Sequence, residues 1–258
     1  MDHQETLALF DRRLRRDAVA DSPTTLVERV GDVVRQTGQD ADWSAVVWSD
    51  LDSGTADAAI AEQVRHFTAI GRDFEWKLYG HDRPGDLGAR LRAAGFTPEP
   101  PETLMVAEIG ELSTVPALPD GVRLADVTDP AGVELMVEAN ERAFGTSLPW
   151  MRDRLLGSLG RETVVLTVAL AGELPVSAAR MELYPDTCFA GLWGGGTVPD
   201  WRGRGIYRAL VAHRARTAAD RGYRFLQVDA SDESRPILRR LGFAELSTTT
   251  PYAYSVRP

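Results

Sequence analysis

Hydrophobic and polar positions between Val122 and Val256 follow two rhythms. VRLADVT (122–128), TVVLTVAL (163–170), PVSAARMELY (175–184), CFAGLWGGGTV (188–198), RFLQVDAS (224–231) and PYAYSV (251–256) are short β-branched or alternating runs bounded by turn residues, which predicts strands. AGVELMVEANERAFG places Val133, Met136, Val137, Ala143 and Phe144 at helical spacing. Asp129 and Pro130 supply the N-cap and first turn of that helix, and Gly145 ends it. PWMRDRLLGSLGRE, GIYRALVAHRARTAADRGY and RPILRRLGF predict three more helices. The resulting order, β-α-α-β-β-β-α-β-α-β, implies an α/β protein with a mixed sheet and helices on both faces.

The first half carries a weaker version of the same pattern. Ile60 to Phe96 reads helix (IAEQVRHFTAIG), strand (FEWKLYG), helix (GDLGARLRAAGF). Ile206 to Phe243 reads the same three elements over nearly the same length, and each stretch closes on an arginine-bearing helix with a Gly-Phe ending. A further apparent strand follows each, ETLMVAEI and PYAYSV, so the chain reads as a duplicated unit. LSTVPALPDG, rich in Pro and poor in helix formers, marks a linker. The expected division is 1–112, a linker at 113–121, and 122–258.

Composition narrows the function classes. The 258 residues hold a lone Cys188 and four scattered histidines, which excludes an intramolecular disulfide and a cysteine-rich zinc site. The N-terminal stretch lacks the apolar core of a secretory signal, and the longest apolar run is far below a membrane span. A soluble, cytoplasmic protein without metal or membrane association is expected. The net charge of −9 resides entirely in residues 1–115, whereas residues 201–240 hold ten arginines against four acids. A compact positive segment in an acidic chain suits a small polyanion better than a nucleic-acid duplex, which needs a broad basic face.

That segment contains GGGTVPDWRGRGIYRALV (194–211), where a strand ends in a glycine-rich turn and a helix begins. Gly203 and Gly205 let the backbone approach a ligand, and successive N–H groups at a helix start form an anion-binding nest. Arg202, Arg204 and Arg208 add positive potential at the positive end of the helix dipole. The chemistry implied is a pyrophosphate held by backbone amides. Neither G-x-x-x-x-G-K-[ST] nor an intact G-x-G-x-x-G is present.

The stretch resembles the acetyl-CoA signature of the GNAT superfamily of N-acetyltransferases, V-x-P-x-x-R-x-x-G-x-G/A. Pro199, Arg202 and Gly205 fall on its fixed positions, with Thr197 where valine is usual and Tyr207 where Gly or Ala is usual. The resemblance extends through the element order to the terminal L-G-F, roughly Val122 to Val256. It implies the acyl-CoA N-acyltransferase fold, with acetyl-CoA as acyl donor and no metal. By position it implies pyrophosphate-binding amides at Gly203, Arg204, Gly205, Ile206, Tyr207 and Arg208. Gly195, Gly196 and Thr197 would face the pantetheine arm and thioester, and Ser231 or Asp232 would stand near the family's asparagine.

The acid and base are less regular. Leu238 occupies the position where the family often has a tyrosine that protonates the leaving thiolate, and Gln227 a position that is Glu in some members. A base is needed because an aliphatic amine with a pKa of about 10.4 is mostly protonated at neutrality. Asp229, two residues on from Gln227 and on the same strand face, Glu182 and Glu141 are the candidate bases, and Tyr252 or Tyr254 could take the place of the missing acid.

Aligning Ile60 with Ile206 puts Ala56, Asp57 and Ala59 at the positions of Arg202, Gly203 and Gly205, so residues 1–112 read as a degenerate, truncated GNAT-like half in a tandem arrangement. The leading expectation is direct transfer of an acetyl group from acetyl-CoA to a small-molecule or peptide amine; the alternative is a catalytically silent acyl-CoA-binding sensor or interaction protein. Nucleic-acid binding is the weakest reading, and the resemblance admits a homodimer.

Overall fold

The computed structural model describes residues 1–20, 22–39, 42–147 and 149–256. In chain order the elements are α1 (His3–Phe10), a π-helical turn (Asp11–Arg16), β1 (Leu26–Val30), β2 (Val33–Thr37), β3 (Ala45–Ser49), α2 (Ala56–Ala69), β4 (Phe74–Tyr79), α3 (Leu87–Ala93), β5 (Thr97–Pro98) and β6 (Glu102–Glu108). There follow β7 (Val122–Asp126), α4 (Pro130–Phe144), α5 (Pro149–Leu156), β8 (Val164–Ala171), β9 (Leu174–Leu183), β10 (Phe189–Thr197), α6 (Ile206–Asp220), β11 (Phe225–Ala230), α7 (Arg235–Leu241) and β12 (Ala244–Tyr254). All ten elements predicted after residue 121 are present in the predicted order. The last strand starts at Ala244, earlier than the expected Pro251. The capping signals act as read: Asp129 accepts the N–H of Gly132, and Gly145 takes φ of +70°.

The chain forms two compact units whose boundaries differ from the expected ones. The first contains Met1–Leu104, Asp229–Glu233 and the chain from Glu245 onward; the second contains Met105–Val228 and Ser234–Ala244. The stretch 113–121, expected as a linker, lies inside the second unit. The physical reason is strand pairing: β12 pairs antiparallel with β4, so the end of the chain completes the sheet of the first unit. Arg257 and Pro258, the last residues of the expected second domain, lie outside the described residues.

The first unit has the strand order β1-β2-β3-β4-β12, and β5 also pairs with β12. Its core is aromatic: Phe67 stacks on Phe74 at 4.1 Å, and Phe96 and Tyr254 pack against Phe74. Ile60, Trp76, Leu87 and Leu91 complete the cluster between α2, α3 and β4.

The second unit has the order β11-β10-β9-β8-β7. Val133, Met136 and Val137 of α4 pack on Leu166, Val168 and Ala178. A separate cluster has Ile206 and Leu210 of α6 packed on Ala169, Val176 and Ala179. Each fully buried aliphatic contributes about 1.5–3 kcal/mol. Helices therefore cover both faces of this sheet, and α6 is anchored on the strands that precede its glycine-rich turn.

Candidate active site

In the second unit β10 pairs in parallel with β11 only from Phe189–Phe225 to Gly191–Gln227. β10 continues to Thr197, and a bulge between Trp193 and Gly196 interrupts its pairing with β9 as well. The three consecutive glycines at this bulge each answer a different constraint. Gly194 has φ of +57°, a conformation that side chains rarely adopt. A Cβ on Gly195 would lie 3.2 Å from the ring of Tyr207, and one on Gly196 would lie 2.9 Å from Asn140 Oδ1 and 3.1 Å from Ala143. Tyr207 thus turns from α6 toward β10.

Beyond β10 a 3-10 turn, Pro199–Trp201, leads into the Arg-Gly-Arg-Gly segment. Arg202 donates from Nε to the Thr197 carbonyl at 3.0 Å and from Nη2 to the Ala143 carbonyl at 2.8 Å. Its guanidinium therefore ties the turn to the C-terminal end of α4, a positioning role that the sequence reading did not foresee. Arg204 lies over the Trp201 ring at 4.6 Å. Arg208 folds over Gly205, where an added Cβ would lie 3.2 Å from Nη2. Gly205, at φ of +86°, is the N-cap of α6 and no side chain caps the helix. Helix geometry leaves the N–H groups of Ile206, Tyr207 and Arg208 without intrahelical acceptors. The arrangement can hold an anion: free amides, the dipole and two exposed arginines converge there.

The candidate bases sit in different surroundings. Glu182, on β9, is 3.2 Å from Arg180 and 3.8 Å from Arg154. The hydroxyl of Tyr184 donates toward Glu182 at 3.5 Å and accepts from Trp193 Nε1 at 3.2 Å and Gln227 Nε2 at 3.3 Å. Burial, with the Glu182 charge adding to it, pushes the Tyr184 phenol up. Gly191 makes room for this cluster, since a Cβ there would lie within 2.8 Å of all three side chains. Tyr184 was missed in the sequence because its partners come from two other strands. Asp229 is assigned to the first unit, where Oδ2 lies 2.6 Å from Lys77 Nζ. Ser231 is exposed and follows β11 in that unit. Leu238 is wholly buried, Glu141 accepts a hydrogen bond from Ser147, and Tyr252 accepts one from Arg92.

The corresponding turn of the first unit is already filled by its own chain. Ahead of α2, Asp52 Oδ1 accepts from the N–H groups of Gly54 and Thr55, which hold its carboxyl below the usual range. β3 pairs with β4 only at Ala45–Glu75 and Val46–Trp76, and the next carbonyl, Val47, accepts from Arg15 Nε at 3.1 Å. Arg15 is 3% exposed, is held by Asp82 and Asp11, and stacks on Tyr79 at 4.0 Å.

No family model matches the chain, and no curated protein does. Solved structures do. A GCN5-related N-acetyltransferase from Kribbella flavida superposes with a TM-score of 0.68 at 19% identity, covering 97% of this chain and 93% of that one. The chain has the GCN5-related N-acetyltransferase fold. A tandem GNAT protein from the clavulanic acid biosynthesis pathway matches with a TM-score of 0.62 at 15% identity, covering 92% of this chain and 85% of its own. A GCN5-related N-acetyltransferase from Sphaerobacter thermophilus matches with 0.58 at 16%, covering 88% and 81%. Among the described residues no group of three or more His, Cys, Asp or Glu side chains could hold a metal, and no helix is long and apolar enough to cross a membrane.

Proposed function

We propose that this chain is an acetyl-CoA-dependent N-acetyltransferase acting on a small-molecule or peptide amine, with a degenerate GNAT-like first half in tandem with the half that binds the cofactor. The observation that carries the reading is the strand that leaves its partner at Gly191 and enters α6 through an uncapped, arginine-flanked turn. The amides of Gly203 to Arg208 bind the pyrophosphate, and Arg204 and Arg208 neutralise it. Acetyl-CoA supplies an activated acetyl thioester. The stretch of β10 beyond its pairing with β11, Gly195 to Thr197, lines its pantetheine arm, and a backbone N–H there polarises the thioester carbonyl, a contribution of about 3 kcal/mol in other acyl transferases.

Glu182 and Asp229 are the two proposed acceptors of the ammonium proton. Glu182 lies in the same unit as the turn and is 17% exposed, whereas Asp229 is 2% exposed against Lys77. Glu182 is the first to test. No tyrosine is needed as acid, because a thiol of pKa about 8.5 leaves acceptably near neutrality. The filled turn at Asp52 and the Arg15 contact with Val47 support a first half that takes no cofactor of its own.

Calorimetric titration with acetyl-CoA tests the reading. Wild type should bind at micromolar concentrations, and Arg204→Glu with Arg208→Glu should weaken binding about 100-fold, or ~2.7 kcal/mol. Unchanged affinity in that variant would remove the cofactor from this turn. Release of free CoA with an amine panel then separates turnover from silent binding.

A further inference from the structure

One face of β4 carries a buried polar row that the proposed chemistry leaves unused. Alternation along the strand puts Glu75, Lys77 and Tyr79 on one side and the core residues Phe74 and Trp76 on the other. Within the first unit, Glu75 Oε2 accepts from Trp43 Nε1 at 3.1 Å, and Lys77 Nζ lies 2.6 Å from Asp229 Oδ2 and 6.0 Å from the Trp43 ring centre. The other carboxylate oxygens, Glu75 Oε1 and Asp229 Oδ1, are buried without a hydrogen-bond partner. Thr249 pairs with Tyr79 across β12 and so shares this face; it is fully buried and its hydroxyl has no partner either.

Charge on this face does not balance. Glu75 and Asp229 set two carboxyls against the one ammonium of Lys77, and the charges of all three, with that of Glu99, reach Glu102. Burial pushes Glu102 up to about 7 and raises Glu75. The carboxyls are too dispersed to converge on a metal ion, since no metal-holding group exists among the described residues. An indole beside them offers the face that an organic cation prefers.

We infer that the first unit holds a binding site for the ammonium group of an aliphatic amine, formed by Glu75, Asp229 and the indole of Trp43, with Glu102 within reach of their charge. Glu75 Oε1 and Asp229 Oδ1 supply acceptors for the ammonium, and a bound cation offsets the carboxyl excess that Lys77 alone does not. An aliphatic ammonium stays charged well below pH 10.4, so pH acts through the carboxyls. Binding draws Glu102 toward its ionised form and releases protons to solvent. The inference needs binding only; Asp229 is shared with the proposed transfer chemistry, whereas Glu75 and Glu102 take no part in it.

Calorimetry with spermidine on the full chain tests it, run between pH 6 and 8 and in buffers of different ionisation enthalpy. Wild type should bind spermidine saturably, with affinity rising about tenfold over that range and with proton release. Glu102→Gln and Glu75→Gln should each weaken binding at pH 8 by tenfold or more, and Glu102→Gln should flatten the pH dependence. Both variants should melt cooperatively and titrate with acetyl-CoA as wild type does, so that loss of the cofactor reading and loss of this site are distinguishable. A folded wild type that takes no spermidine, or glutamine variants that bind it unchanged, would overturn the site.

Discussion

The ring of Tyr207 occupies the space that a side chain on Gly195 would need, with Cε2 at 3.2 Å from the ideal Cβ position. Gly195→Ala should therefore lower stability by about 1 kcal/mol through overpacking, a melting shift of about 3 °C in a chain of this size. Adding Gly195→Ala to a Tyr207→Ala background should cost nothing further. Thermal melts of the four proteins complete the cycle; equal penalties in both backgrounds would show that the contact is not the constraint.

Arg202 and Arg204 are neighbours in the motif with different work. Arg202→Ala removes two bonds to backbone carbonyls and should cost about 1–2 kcal/mol of stability together with cofactor affinity. Arg204→Ala, which loses only a stack on Trp201, should leave the unfolding free energy from urea melts within about 0.5 kcal/mol of wild type and weaken acetyl-CoA binding alone.

Tyr184→Phe would strip the acceptor from Trp193 and Gln227 together. Leaving buried donors unsatisfied costs about 1–3 kcal/mol, more than a lone phenol on a surface. If Tyr184 and Glu182 also act as a unit in proton removal, the variant should shift the pH profile of turnover. Loss of stability with an unmoved profile would assign Tyr184 to packing.

Lys77→Met should be among the most damaging single changes in the first unit. Burial by itself would lower the ammonium's pKa, yet the Asp229 carboxylate leaves it raised. Removing that cation strands Asp229, 2% exposed, as a buried charge, at a cost of about 3–5 kcal/mol. Asp229→Asn combined with Lys77→Met should recover much of the loss in urea melts.

Glu102 gives a pH signature of opposite sign to an ion-paired acid. Its pKa is raised by burial from 4.5 to about 7, so the folded state holds a proton that the unfolded chain has released. Stability from this group is complete below pH 4.5 and is lost as pH rises toward and through 7. Glu102→Gln should thus be more stable than wild type by about 1–2 kcal/mol at pH 8, allowing for solvent screening at its partly exposed edge, with the gain gone near pH 4. Urea melts at both pH values check it.

Most of the second unit was legible because its signals are local. Asp129, Gly145, Gly205 and Gly242 punctuate elements whose hydrophobic period is set within a few residues of each. The glycine-rich turn ahead of α6 was legible for the same reason. The strands β1 to β3 were not, since runs such as VERV and VVRQT mix charge with short apolar stretches, and Arg15 and Arg35 are buried through partners distant in sequence. The reason for the triple glycine lies in Tyr207, Asn140 and Ala143, which the sequence does not place beside it. Strand alternation likewise says nothing of which unit β12 joins.

That last placement governs the order in which the molecule can be finished. β4 waits for Thr249–Tyr254 as its antiparallel neighbour, 170 to 180 residues downstream. A nascent chain that has emerged only as far as α6 carries the first unit with one flank of its sheet unsealed. The half made earliest is thus completed last, and a stop codon before β12 would leave it exposed to pairing with other chains.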